Sequence, residues 1–225
     1  MLKKIFRFLF KLFLWFFAVS VISVVIFRFV PVPFTPLMIS RALEQRAAGE
    51  EMTASHDWVP LEEISPNLQK AVIASEDDLF LTHNGFNFEA MRKAFKNNQK
   101  GKKIKGGSTI SQQTAKNVFL WQGRSYIRKA FEAYFTVLIE LLWSKERIME
   151  VYLNSIEMGK GVYGAQAAAQ HWYHKDAANL TKYEAAGIAA ILPNPIKYRA
   201  TRSSGYIERR KGRIVRLMRY VKLEY

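Results

Sequence analysis

Hydrophobic and polar positions divide the chain into an apolar head and a longer body with helical spacing. Leu12 to Phe27 reads LFLWFFAVSVISVVIF, sixteen residues without a charge. With Ile5 to Lys11 added, where Arg7 and Lys11 can snorkel, the segment is long enough to cross a bilayer. A cleaved signal peptide is the competing reading, because a charged head precedes the apolar run. The small-x-small site, Ala18-Val19-Ser20, lies inside that run, which favours an uncleaved anchor.

PVPFTP follows and reads as a short, stiff exit from the membrane. From about Ala42 the spacing is mostly helical. Ile64 to Ala74 starts with Ser65 as N-cap and Pro66 in the first turn. Tyr126 to Leu153 is the longest helical pattern. Leu180 to Leu192 carries Thr181 and Glu184 at capping-box spacing and stops at PNP. Alternating strands are scarce, so the body is expected to be mainly α, with a small hairpin around Gly101 to Lys105 as the strand candidate.

Composition narrows the partners. A length of 225 residues fits one domain with appendages. Basic residues outnumber acidic ones 34 to 19, a formal charge of +15, which points to an anionic partner. Lys3, Lys4, Arg7 and Lys11 crowd the first end of the apolar run. The positive-inside rule therefore keeps the N-terminus cytoplasmic and sends the body outside, where nucleic acid is no partner. Cysteine is absent, which excludes disulfides and thiol catalysis.

Several familiar sites are missing. No GxSxG occurs, KGGST lacks the Gly-Lys-Ser/Thr ending of a phosphate loop, and the HxxH pair His171 and His174 reads as packed or exposed histidines. Three polar sets remain. Glu76, Asp77 and Asp78 follow the apolar run VIAS, with His83 between Phe80 and Phe86. A glutamate at an apolar helix end can serve as general base or acid, and a solvated acidic turn is the plainer alternative. In RKAFEA, Arg128 and Lys129 can both face Glu132 on one helix side, as a site or as an ordinary ion pair. GGSTISQQTAKN joins glycines, hydroxyls, Gln112, Gln113 and Lys116 without an acid, a donor set suited to a diphosphate or a sugar.

EDDLFLTHNGF, GGSTISQQTAKN, RKAFE, KERIMEVYLN and GVYGAQAAAQHWY occur in that order, and the series resembles the motifs of the peptidoglycan glycosyltransferases, glycosyltransferase family 51. VFLWQGRSYIRK and HWYHK resemble its monofunctional branch. No Ser-x-x-Lys followed by Lys-Thr-Gly is present, so transpeptidase chemistry is not expected. The resemblance divides the chain into an anchor over residues 1–30, a linker over 31–49, the glycosyltransferase domain over 50–200 and a basic tail over 201–225. It implies a lysozyme-like α-helical domain with a smaller jaw dipping into the inner membrane. The implied substrates are lipid II and the growing glycan strand, and other cell-wall synthesis proteins are candidate partners. Glu76 falls at the family's general base and Glu132 at its second carboxylate, which orients the donor diphosphate directly or through a divalent cation, Mg or Mn. No organic cofactor is implied. Lys116, Arg124 and Arg128 match positions that neutralise the diphosphate. Ser108, Gln112, Gln113 and Asn117 would line the cleft, while Lys129, Glu150, Tyr152 and Asn154 would hold its shape.

Two positions depart from the common family pattern, Asn87 and Thr114, and neither is a proposed catalytic group. Phe119, Leu120 and Trp121 are expected as an exposed apolar triplet on the jaw. Residues 209–225 are expected to lie on anionic headgroups or to form a solvated helix. A lytic enzyme of similar fold and a non-enzymatic membrane scaffold are the competing functional readings.

Overall fold

The computed structural model describes residues 1–92, 107–123 and 125–225, and these are mainly helical. The hairpin expected around Gly101 to Lys105 lies outside the described residues. Helix α1, Leu2–Phe29, is long and apolar enough to cross a membrane. It also packs against the body. The Ser20 and Tyr134 hydroxyls meet at 2.6 Å, and the Trp143 indole N–H donates to the Val24 carbonyl at 2.8 Å. The Arg147 guanidinium donates to the carbonyls of Phe27 and Val30, which satisfies acceptors that a helix end leaves open.

Helix α2, Pro36–Ala47, begins six residues before the expected Ala42 because the Thr35 hydroxyl caps it, accepting from Met38 N–H, with Pro36 in the first turn. The proline-rich exit is correspondingly short. Helix α3, Pro66–Glu76, starts at Ser65 as expected and ends on Glu76. Helix α4 spans Ile110–Phe119. The long pattern from Tyr126 to Leu153 is two helices, α5, Tyr126–Leu142, and α6, Lys145–Ser155. Trp143 turns extended between them and Ser144 caps the second, accepting from Arg147 N–H at 3.1 Å. The corner lets α5 and α6 both pack on α4.

Strands β2, Glu157–Gly159, and β3, Val162–Tyr163, pair antiparallel, and β1, Ser55–His56, joins β3 in parallel. Helix α7, Ala165–Tyr173, ends at His174 in the left-handed conformation, so this histidine of the HxxH pair serves as a helix cap. Helix α8, Lys182–Ile191, has the Thr181–Glu184 capping box read from the sequence. Its residues from Ala185 to Ile191 are buried, and the small alanines let it lie close to α3.

Residues 201–225, read as a basic tail, contain helix α9, Gly205–Leu217. Ile207 and Ile214 are buried against the core, and α9 packs on both α8 and α3. The apolar triplet also differs from expectation. Leu120 is 3% exposed and belongs to the core, and Phe119 stacks on Phe135 with centroids 4.6 Å apart. Only Trp121 of the three is exposed. Ile127, Val137 and Leu141 of α5 are also exposed.

Candidate active site

Glu76 closes α3 beside the start of α4. Its carboxylate accepts from the Ser75 hydroxyl at 3.0 Å and from the Gln113 side-chain amide at 3.3 Å. Arg210 of α9 reaches it from another direction, 3.5 Å from Glu76 and 3.1 Å from the Ser75 hydroxyl. The Gln113 carbonyl oxygen accepts from Tyr152, whose phenol burial raises well above its ordinary pKa, reinforced by Glu76 and Asp77. Tyr152 therefore remains a donor. That fixes the Gln113 amide with its N–H₂ toward Glu76.

Asp77 turns the other way. It is buried, accepts from Ile110 N–H at 2.9 Å and is met by the His83 ring at 2.9 Å. The other His83 nitrogen accepts from Gly85 N–H, so the ring donates to Asp77. Asp77 thus clamps the first turn of α4 to the end of α3. Gly85 sits at φ +84°, and a Cβ there would come within 2.7 Å of Thr136. Its carbonyl accepts from the Thr109 hydroxyl at 2.7 Å. One acid of the EDD run meets Gln113, and its neighbour ties α3 to the first turn of α4.

A second cluster lies one turn along α4. Glu132 is 2% exposed and takes Arg128 at 2.9 Å on one oxygen and Lys129 on the other. Lys129 also donates to the Ser108 hydroxyl at 3.2 Å. Burial pulls the Lys116 ammonium below its ordinary pKa, Glu132 opposes this, and Arg128 and Lys129 add to it. Gln113, Lys116 and Asn117 line a cleft of about 130 Å³ whose far wall carries Arg41 and Glu157. Those two are paired at 3.2 Å, and burial raises the Glu157 pKa while Arg41 opposes the rise.

Of the residues singled out in the sequence, the fold therefore joins Glu76 to Gln113, and Lys116, Arg128, Lys129, Glu132 and Ser108 to one another. Gln112 does not reach the cleft. It completes a capping box, with its side-chain oxygen accepting from Thr109 N–H. Arg124 lies outside the described residues. Asn154 holds the body together, accepting from Val59 N–H and donating to the Val59 carbonyl. Both departures have local partners. Asn87 accepts from Ala90 N–H, and the Thr114 hydroxyl donates to the Ile110 carbonyl. Arg210, Arg41 and Glu157 were not singled out, because nothing local in the sequence ties them to Glu76 or Lys116.

Both Glu132 oxygens are engaged by cations, and among the described residues no three His, Asp or Glu side chains converge.

Glu76 on Gln113 and the cation-bound Glu132 beside Lys116 stand one turn apart along α4, on a helical domain with an apolar N-terminal helix. The chain belongs to the transglycosylase family, whose model matches residues 44–219. It is therefore a glycosyl-transferring enzyme. It is 54% identical over 220 residues to a biosynthetic peptidoglycan transglycosylase of Bacteroides thetaiotaomicron, covering 98% of this chain and 89% of that one. Proteins of the same name from Caulobacter vibrioides and Pseudomonas syringae are 53% and 52% identical, over 92% and 97% of this chain and 87% and 93% of theirs.

The lowered Lys116 pKa has a measurable consequence. The protonated ammonium is the form that binds an anion, so kcat/KM is expected to fall on the alkaline side at a lower pH than an ordinary lysine would dictate. Lys116→Arg should move that limb upward, because a guanidinium stays charged. A pH–rate profile identical in the two proteins would remove Lys116 from the anion site.

Proposed function

We propose that the protein polymerises lipid II into β-1,4-linked glycan strands and releases undecaprenyl diphosphate. The observation that carries this reading is the spacing on α4. Gln113 touches Glu76, and Lys116, about 4.5 Å further along the axis, sits in the field of Glu132 and Arg128. One helix thus sets a base beside a cradle for a leaving diphosphate.

In the proposed reaction, Glu76 takes the proton from the 4-hydroxyl of the acceptor sugar as that oxygen attacks C1 of the donor. The C1–O bond to the diphosphate breaks, and the charge gathered on the leaving group is met by Lys116 and Arg128, with Arg124 added on sequence grounds. Attack opposite the leaving group converts an α-linked donor into a β linkage. Glu132 keeps Arg128 and Lys129 in place. Asn117 and the Arg41–Glu157 wall are positioned to meet sugar hydroxyls. The anchor would cross the inner membrane with its N-terminus in the cytoplasm, holding the cleft at the outer surface, and the exposed Trp121, Ile127 and Leu141 would enter the lipid.

The cation cluster favours synthesis over lysis. A lytic enzyme that cleaves glycan strands with one catalytic glutamate needs no cluster of cations for a leaving diphosphate. Incubating the purified full chain with lipid II and resolving the products on a gel tests the proposal. Polymer is the expected product; shortened strands from preformed glycan, or unchanged lipid II, would overturn it.

Arg210 gains a role in the same reaction. Its guanidinium faces Glu76 and Ser75, and its Nε has no acceptor among the described residues. Arg210→Ala is expected to lower kcat/KM about tenfold, in line with the loss of one charge-assisted contact. Arg210→Lys should recover part of that loss. Wild-type kinetics in the alanine variant would leave Arg210 a packing residue of α9.

A further inference from the structure

The cleft of about 130 Å³ beside α4 has a mixed lining that a diphosphate cradle does not account for. Leu37, Ile156, Leu192 and Pro195 make one side apolar, while Gln122, Glu157 and Arg41 supply polar atoms. Leu37 and Arg41 stand one turn apart on α2, ahead of the residues 44–219 that the family model matches. The Gln122 side-chain nitrogen is buried and has no acceptor among the described residues. An amide donor buried in this way is costly to leave unpaired, so it calls for an oxygen on the occupant of the cleft. Glu157, with its side chain 7% exposed, takes Arg41 on one oxygen at 3.2 Å and Gly161 N–H on the other at 3.4 Å. A carboxylate has lone pairs left for one more donor after those two.

Size and polarity together narrow the occupant. The cleft is smaller than the ~150 Å³ cavity that takes one benzene ring, so a substituent enters it and a whole sugar with its hydroxyls does not. A phosphate would lie against Glu157 and the apolar side, and a bare hydroxyl would leave that side uncovered. An acetamido group meets all three features. Its carbonyl oxygen accepts from Gln122, its N–H donates to Glu157, and its methyl covers Leu37, Ile156 and Leu192. Lys116 and Asn117 border the same cleft, which sets the group beside the diphosphate. In a hexosamine donor the substituent so placed is the one on C2, next to the C1 that carries the phosphate.

We infer that this cleft reads the 2-acetamido group of the donor sugar, with Gln122 and Glu157 as the residues that select it and Leu37 as the residue that limits the length of its acyl chain. This deepens the reaction proposed above and rests on it for the diphosphate-linked donor. Helix α2 then takes part in the choice of substrate as well as leading the chain away from the apolar helix.

The test measures binding of two short-chain lipid II analogues to the full chain by calorimetry, one with the 2-acetamido group on the donor sugar and one with a hydroxyl in its place. The wild type is expected to bind the acetamido analogue about a hundredfold more tightly, from two hydrogen bonds and a buried methyl. Gln122→Leu keeps the bulk of the side chain and removes the donor. It should cut that preference about tenfold and leave the affinity for the hydroxyl analogue unchanged. Leu37→Ala widens the apolar side, so a 2-butyramido analogue should gain about tenfold on the acetamido one. Equal affinity of the wild type for the acetamido and hydroxyl analogues would overturn the inference, as would an unchanged preference in folded Gln122→Leu or an unchanged ranking of acyl lengths in folded Leu37→Ala. Discrimination in binding by a chain that polymerises neither analogue would sustain the cleft and overturn the transferase reading. Polymerisation of both at equal kcat/KM would do the reverse, and binding of neither would overturn both.

Discussion

Glu76→Gln is expected to abolish polymerisation of lipid II, by roughly 10²–10⁴-fold or more, while the protein stays folded and membrane-bound. The replacement keeps the shape of the side chain, and its one carbonyl oxygen can still accept from either the Gln113 amide or the Ser75 hydroxyl, which bond to different oxygens of Glu76. What it removes is the ability to hold a proton taken from the acceptor sugar. The Glu76 side chain is 15% exposed and its partner Arg210 is 27% exposed, so its loss leaves no fully buried charge stranded in the core. The melting temperature should therefore move little, measured by circular dichroism in parallel with product gels. Near-normal turnover by the folded variant would sink the assignment of the base.

Glu132→Gln is expected to harm both stability and activity, for a different reason. Glu132 is buried between two cations, and Arg128 is itself only 11% exposed along its side chain. Removing the anion leaves that guanidinium buried without its partner, a change that costs about 3–5 kcal/mol in comparable pairs. Lys129 is 44% exposed and can relax into solvent, which places the expected loss near the lower end. The variant should melt several degrees lower. A diphosphate donor analogue supplies the missing negative charge, so it should raise the variant's melting temperature by more than it raises that of the wild type. A fully active variant with an unchanged melt would reduce Glu132 to a surface-type ion pair, and equal stabilisation by the analogue would take the cluster away from the donor.

The features that were legible in the sequence are those ruled by local chemistry. The apolar helix follows from composition alone, and Ser65 and Thr181 cap their helices because a hydroxyl before a helical run satisfies free N–H groups. The two clusters were also within reach, since Arg128, Lys129 and Glu132 share a helix face by spacing. Where the structure departs from the sequence pattern, a competing local signal prevails or the contact is distant. Thr109 and Gln112 have capping-box spacing, and that spacing takes Gln112 out of the cleft. Ser144 is a good N-cap inside an apolar pattern that continues on both sides, so one helix was expected where there are two. Leu120 follows a helix end, and only the packed core reveals that it points inward while Trp121 points out. Arg210 is separated from Glu76 by 134 positions, and no local rule connects them.

The central claim is that Glu76 acts as a base in a single displacement, with the acceptor hydroxyl as nucleophile and the diphosphate as leaving group. The most direct measurement is the anomeric configuration of the new linkage in strands made by the purified protein from lipid II, read by nuclear magnetic resonance and by digestion with a β-1,4-specific muramidase. Complete inversion to β linkages, with strands fully digested to disaccharides, is the expected result. Retained α linkages, or a glycosyl group trapped covalently on Glu76, would contradict it.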